Sequence, residues 1–342
     1  DIITFPLADG GEGTMDILTQ NAQGIFKEVE VCDPLGKSIR ARYGLAGNGE
    51  VAFIEMAEAS GLRLLDPSEY NPLLTSTYGT GELIRHALES GVREIILGIG
   101  GSATNDGGMG MAAALGYQFL DKNGAILPAN GASLTRIVEL NTATVHPQLK
   151  DCQITVACDV TNPLVGENGA AHIYGPQKGA NADAIAILDA GLINLTTVAV
   201  RAFGHDVSLM PGAGAAGGLG AGAMWFLNAK LASGVQIVME HIGIEKEIAQ
   251  ADLVITGEGK LDAQTLQGKV ILGLSEICQK NNIPLAVLCG TLDITTQQIQ
   301  QAGFTYVASV LNSPVTLQVA QKEAYHNVKN ATFNLVRLFF YR

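Results

Sequence analysis

The sequence predicts an α/β protein of two domains, in which a doubly wound parallel sheet domain is interrupted by an inserted second α/β domain with a mixed sheet. Three observations predict it. From about Lys246 onward, short apolar runs alternate with helical patterns in β-α-β-α-β-α order. Gly (41 residues) and Ala are abundant while aromatics make up only 6%, which suits helices packed on sheets better than an all-β sandwich. Three glycine-rich, acid-bearing segments each follow an apolar run, where a strand should end: ADGGEGT (8–14), GIGGSATNDGG (98–108) and TGEGKLD (256–262).

Taken in order, residues 2–7 read as a strand and 14–23 as its helix. Residues 27–32, 38–45 and 51–56 read as three strands joined by DPLGK and AGNGE, good turn sequences for an antiparallel meander. YGTGELIRHALESG predicts a helix ending at Gly91, followed by a buried strand at 92–97. Asn105 or Asp106 is then placed to cap a helix over 109–117. A strand at 153–158 ends at DVTNPL. The alternation of the last third places strands at 253–255, 285–288 and 306–310 and helices at 270–280, 295–302 and 317–338. Because the opening strand and helix have the same character as this last third, residues 1–25 and 246–342 are expected to form one discontinuous domain. Residues 26–245 are then the insert, and the active site is expected in the cleft between the two. A parallel unit normally has a preceding strand and helix, so the start at Asp1 reads as truncated.

Composition narrows the function. At 342 residues, 47% of them apolar, each of two domains has material for a sizeable core. A net charge of −12 argues against nucleic acid or an anionic membrane as partner, since both need a basic footprint. The five cysteines are scattered, without CxxC spacing, and read as buried free thiols. Residues 207–229 carry no charge and are long enough to span a bilayer, but Pro211 and six glycines make a poor membrane helix. No signal peptide opens the chain, and a cytoplasmic location is expected. Oligomeric state stays open, a homodimer included.

Glycine lets a backbone approach a ligand closely and aim its N–H groups at phosphate oxygens. An adjacent Asp or Glu suits Mg²⁺ or a hydroxyl proton. Three such segments together point to phosphoryl transfer. The one GKS (36–38) has Val31 where a P-loop needs glycine, which excludes that kinase class. GIGGSA also fits a dinucleotide turn, with Asp121 about twenty residues on, and so supports an oxidoreductase reading. The continuation SATND argues against it, because small polar side chains at a helix entry suit substrate hydroxyls and metal. A second glycine match, GAGAAG (212–217), reads as small-residue packing of a helix start. Lys178, on the Gly/Pro loop YGPQKGA, is an exposed lysine by default.

Together the motifs resemble the type-1 glycerate kinase family of bacteria. The matching segments are ADGGEGT, TSTYGTGELI, GIGGSATNDGGMGMAAALG, CDVTNPLVGENGAA, YGPQKGA, PGAGAAGGLGAG and DLVITGEGKLDAQTLQGK, in unbroken order along the chain. The resemblance implies ATP-dependent phosphorylation of D-glycerate with Mg²⁺, with the 2-position favoured, by direct in-line transfer. It also implies that the discontinuous domain is flavodoxin-like. The family's opening strand and its Asp-Ser-Phe-Lys loop have no counterpart here. Within that chemistry, Gly10, Gly11, Gly100, Gly101, Gly257 and Gly259 are expected to hold phosphates. Lys260, with Lys178 second, offsets developing charge. Asp9, Asp159 and Glu258 are candidates for Mg²⁺, and Asp106 or Asp159 for the base. Thr77, Tyr78, Ser102, Asn105 and Asn162 are expected to bind glycerate. A non-catalytic sensor that binds ATP or glycerate without turnover is a further alternative.

Overall fold

The computed structural model describes residues 1–7, 13–262 and 269–341. By internal contacts the chain divides into two units, residues 1–242 and 243–342. The first unit begins with α1 (Thr14–Asn21), followed by three strands, β1 (Ile25–Cys32), β2 (Ser38–Leu45) and β3 (Val51–Glu55). They form the antiparallel meander that the turn sequences predict. A short α2 (Ala57–Ser60) leads to α3 (Tyr78–Glu89), β4 (Glu94–Gly98) and α4 (Met109–Ala114). A two-stranded hairpin, β5 (Gln118–Leu120) with β6 (Glu139–Asn141), comes next, then β7 (Gln153–Ala157), α5 (Ala170–Tyr174) and α6 (Ala182–Phe203). The unit closes with α7 (Ala215–Phe226), β8 (Lys230–Ala232) and α8 (Gly234–Ile242).

Among the described residues its main sheet runs β1-β2-β3-β4-β7-β8, parallel from β3 onward. Both faces are covered. Phe53, Ile96 and Ala157 pack with Met15 and Leu18 of α1 and Ile237 and Val238 of α8. Their sequence neighbours Ile54, Ile95, Leu97 and Val156 face the other way, into the large core holding Leu83 and Ile84 of α3 and Met111 of α4. Side chains alternate across a strand, so a strand covered on both faces reads as the unbroken apolar run EIIL. Burial at about 25 cal/mol per Å² of apolar surface holds these layers together.

Helix α6 is the one described helix long and apolar enough to cross a membrane. Its Leu188, Leu192, Leu195 and Val198 are instead buried inside the first unit. The uncharged stretch 207–229 forms the shorter α7, whose entry is interrupted by left-handed backbone at Ala216, Gly217 and Gly218. Gly217 is required there, since a Cβ would meet the Thr104 carbonyl oxygen at 2.0 Å.

The second unit holds α9 (Ile244–Ile248), β9 (Val254–Leu261), α10 (Lys269–Asn281), β10 (Leu285–Leu292), α11 (Thr296–Gln301), β11 (Tyr306–Ser309), α12 (Leu317–Lys322) and α13 (Ala324–Phe339). Its sheet is parallel, in the order β11-β10-β9.

Three sequence expectations change. Residues 2–7 form no strand, because an apolar run becomes one only where a neighbouring strand pairs with it, and Ile2 is 93% exposed. The segment TGEGKLD is largely strand rather than loop, since pairing with β10 continues through Gly257↔Leu288, Glu258↔Cys289 and Lys260↔Thr291. The expected last helix breaks into α12 and α13 at Glu323, whose φ of −96° and ψ of 3° leave the helical region.

Candidate active site

Strands β4 and β7 are adjacent and parallel, so the segments after Gly98 and after Ala157 emerge side by side at their carboxyl ends. This is where open α/β sheets bind ligands. A cavity of about 450 Å³ lies there. Gly100, Gly101 and Ser102 of the first segment, Cys158, Asp159 and Val160 of the second, and Tyr174, Gln177 and Lys178 after α5 form much of its wall. Ala215 and Ala216 at the entry of α7 complete it. Ala216 has φ 53°, strained backbone for a residue with a side chain, held in place by the packing of this entry.

Lys178 is the unexpected member. The sequence reading makes it exposed, yet it is 1% exposed. Gly179 next to it takes φ 92° and lies so close to Tyr70 that a Cβ would meet the Tyr70 carbonyl oxygen at 2.3 Å, which draws the loop inward. The Lys178 Nζ donates to the Ser102 Oγ at 2.7 Å and to the Thr104 carbonyl oxygen at 2.7 Å. Both partners are neutral. Burial pulls the ammonium down to about pKa 7, opposed in part by the charge of Asp106.

Asp106 is fully buried and is not part of the cavity wall. Its Oδ2 accepts from the Thr77 N–H at 2.8 Å, the Thr77 hydroxyl at 2.8 Å and the Gly110 N–H at 3.0 Å, while Oδ1 accepts from the Gly108 N–H at 3.1 Å. Burial pushes its pKa up and these donors pull it back. The N-cap of α4 is Gly108 rather than Asn105 or Asp106; Asp106 instead accepts from N–H groups at the helix entry and ties it to the start of α3. Thr77 is equally buried; its hydroxyl also accepts from the Met111 N–H at 2.8 Å. Tyr78 is the first residue of α3 and, like Thr77, is not part of the wall. Asn105 is fully buried, and its side-chain oxygen and nitrogen have no hydrogen-bond partner among the described residues.

Asp159 accepts from the Ser233 hydroxyl at 3.0 Å, which orients it beside the cavity. Asn162 is fixed by its neighbours, donating to the Asn168 carbonyl oxygen at 2.9 Å and accepting from the Tyr174 hydroxyl at 2.7 Å. Tyr174, Cys158 and Gln177 do not stand out in the sequence; the CDVTNPL and YGPQKGA motifs that hold them are the available signal.

Asp9, Gly10 and Gly11 lie outside the described residues. At the start of α1, the Met15 N–H donates to a buried carboxyl group, Glu55 Oε1 at 2.9 Å, so this N–H beside the ADGGEGT motif is already taken. In the second unit, Gly257, Glu258, Gly259 and Lys260 belong to β9, and Lys260 pairs with Asp262 at 2.9 Å and Asp293 at 3.5 Å. Those carboxylates hold the Lys260 ammonium above its usual pKa. No group of three or more His, Cys, Asp or Glu suited to a metal occurs among the described residues. Asp121, the acid of the dinucleotide reading, accepts from the Asn123 and Ala125 N–H groups of its own turn.

Comparison with known proteins gives a consistent picture. The family model described as glycerate kinase family matches residues 1–340. Glycerate 2-kinase of Escherichia coli (strain K12) is 46% identical over 97% of this chain and 87% of its own length. Glycerate kinase of Haemophilus influenzae is 42% identical over 100% of this chain and 90% of its own. A crystal structure described as glycerate kinase 2 from Salmonella typhimurium LT2 superposes with a TM-score of 0.87 at 44% identity, covering 98% of this chain and 88% of that one.

Proposed function

The chain belongs to the glycerate kinase family, and we propose that it transfers the γ-phosphoryl group of ATP directly, in line, to D-glycerate, with 2-phosphoglycerate as product. The observation that carries the reading is the Lys178–Ser102 pair at 2.7 Å in the wall of a cavity that also holds the Gly100–Gly101 turn and Asp159. An ammonium donor and a hydroxyl donor side by side meet a carboxylate well, and we take that anion as the acceptor's. An anion entering the cavity favours the protonated amine, so Lys178 gains full charge as the acid binds. Ser102 orients the same group.

The glycine turn at Gly100–Gly101 offers backbone close to the transferred phosphoryl group, where preorganised donors stabilise charge. In a loose transition state the protein mainly positions and neutralises. Mg²⁺ takes one or two carboxylates and completes its shell with phosphate oxygens and water, and a single oriented Asp159 fits such a donor set. Bound there, the ion would neutralise phosphate charge. Asp106 acts as a positioning residue, holding the 98–108 segment through α3 and α4. Asp9, Glu258 and Lys260 keep, as part of the proposal, the metal and charge roles assigned from their motifs.

The test is ADP release from Mg-ATP with and without D-glycerate, with the phosphoglycerate isomers resolved. Glycerate-dependent ADP and 2-phosphoglycerate are expected. ADP release indifferent to glycerate, or a 3-phosphoglycerate product, overturns the corresponding part of the reading.

A further inference from the structure

Lys178 is unusual beyond any role in phosphoryl transfer. It is one of the residues lining the cavity, at 1% residue exposure, and its Nζ is bonded among the described residues to the Ser102 hydroxyl and the Thr104 carbonyl oxygen. Neither hydrogen-bond partner carries charge, and the Asp106 carboxylate acts on the amine through space without bonding to it. A surface lysine is a hydrated cation without a usable lone pair, whereas a desolvated amine among neutral oxygens is a nucleophile, the basis of Schiff-base lysines. The adjacent Ser102 hydroxyl is placed to pass a proton to a departing oxygen.

We propose that Lys178 is a site of covalent modification by small α-hydroxy aldehydes, which condense with its amine to an imine and so occupy the cavity as aldehyde counterparts of the acid substrate. The Nζ lone pair attacks the carbonyl carbon and the C–N bond forms. The carbonyl oxygen takes up both amine protons, one of them by way of the Ser102 hydroxyl, and leaves as water. No oxidant or reductant is consumed, and the adduct reverses by hydrolysis. The selectivity for hydroxy aldehydes rests on the proposed placement of glycerate in this cavity; the reactivity of the amine does not. A cavity of about 450 Å³ admits a three-carbon molecule readily. When an anion fills it, the amine is protonated and the reaction stops, so substrate protects.

The experiment exposes the whole chain briefly to D-glyceraldehyde at pH 7.5, traps imines with cyanoborohydride and maps the adducts by peptide mass spectrometry. The adduct at Lys178 is expected to exceed those at exposed lysines such as Lys37 and Lys280 by at least about tenfold, since these two are hydrated and paired with the carboxylates of Glu69 and Glu245. D-glycerate is expected to suppress it. Labelling of Lys178 no faster than of Lys37 and Lys280 overturns the proposal. Fast labelling that ignores D-glycerate upholds the reactive amine and overturns the placement of the acid in this cavity. Phosphoglycerate formation, measured on untreated protein, decides the kinase reading separately. A Lys178→Gln variant should lose the adduct, while peptide mapping of the unaltered chain stands whether or not that variant folds.

Discussion

Burying Lys178 makes the stability of the first unit depend on pH in an unusual direction. The amine titrates near pKa 7 in the folded chain and at 10.5 in its unperturbed state. Between these values the unfolded chain holds a proton that the folded chain has released. Low pH therefore favours unfolding, and stability rises as pH climbs from about 7 toward 10.5. Below 7 the full penalty of a buried ammonium is present, and above 10.5 it is gone. Linkage over the interval from pH 7.5 to pH 9.0 gives a gain of about 2 kcal/mol. Lys178→Met removes this titration and leaves the other groups unchanged, so the comparison is a difference of differences. Urea denaturation followed by Trp225 fluorescence is the suitable assay. Trp225 is the single tryptophan and is 3% exposed in the core of the first unit, so it reports that unit. The unaltered chain should gain about 2 kcal/mol more than the variant between the two pH values. Equal gains would show that Lys178 stays charged in its pocket, and would refute the claim that burial among neutral oxygens discharges it.

Three further outcomes are expected. Ala216→Gly relieves left-handed strain in the cavity wall and should raise stability by about 1 kcal/mol in the same denaturation assay. Asp106→Asn turns an amide donor toward N–H and O–H groups that need an acceptor, and should cost about 2–4 kcal/mol, seen as a lower urea midpoint. Asp159→Asn should lower kcat by roughly two orders of magnitude while the Trp225 unfolding curve stays in place; a near-normal rate would remove Asp159 from the mechanism.

Helix α6 marks a limit of local pattern. Asn181, whose side chain accepts from the Ala184 N–H, and Gly204 in left-handed backbone are ordinary start and stop signals on either side of it. They are legible in the sequence, but the uncharged stretch that follows is the more conspicuous apolar feature. The strand at Glu94–Gly98 is plain from EIIL, because a strand covered on both faces leaves no polar positions to blur the pattern. The short strands β5, β6 and β8 have three residues each, too few for any period to show.

The α/β class, the antiparallel meander, the alternating last third and the motifs of a family are all legible in the chain, because these depend on local periodicity and on residue types at close spacing. It also brought Gly100, Gly101, Ser102, Asp159 and Lys178 forward as separate candidates. The folded chain shows that these five share one cavity, that Asp106 and Thr77 are buried outside its wall and bonded to each other, and that Lys178 is buried with two neutral oxygens as its hydrogen-bond partners. The reason is that burial and pairing are set by residues distant along the chain. Lys178 meets Ser102 across 76 positions, and no local pattern carries that contact or the loss of water that alters its amine.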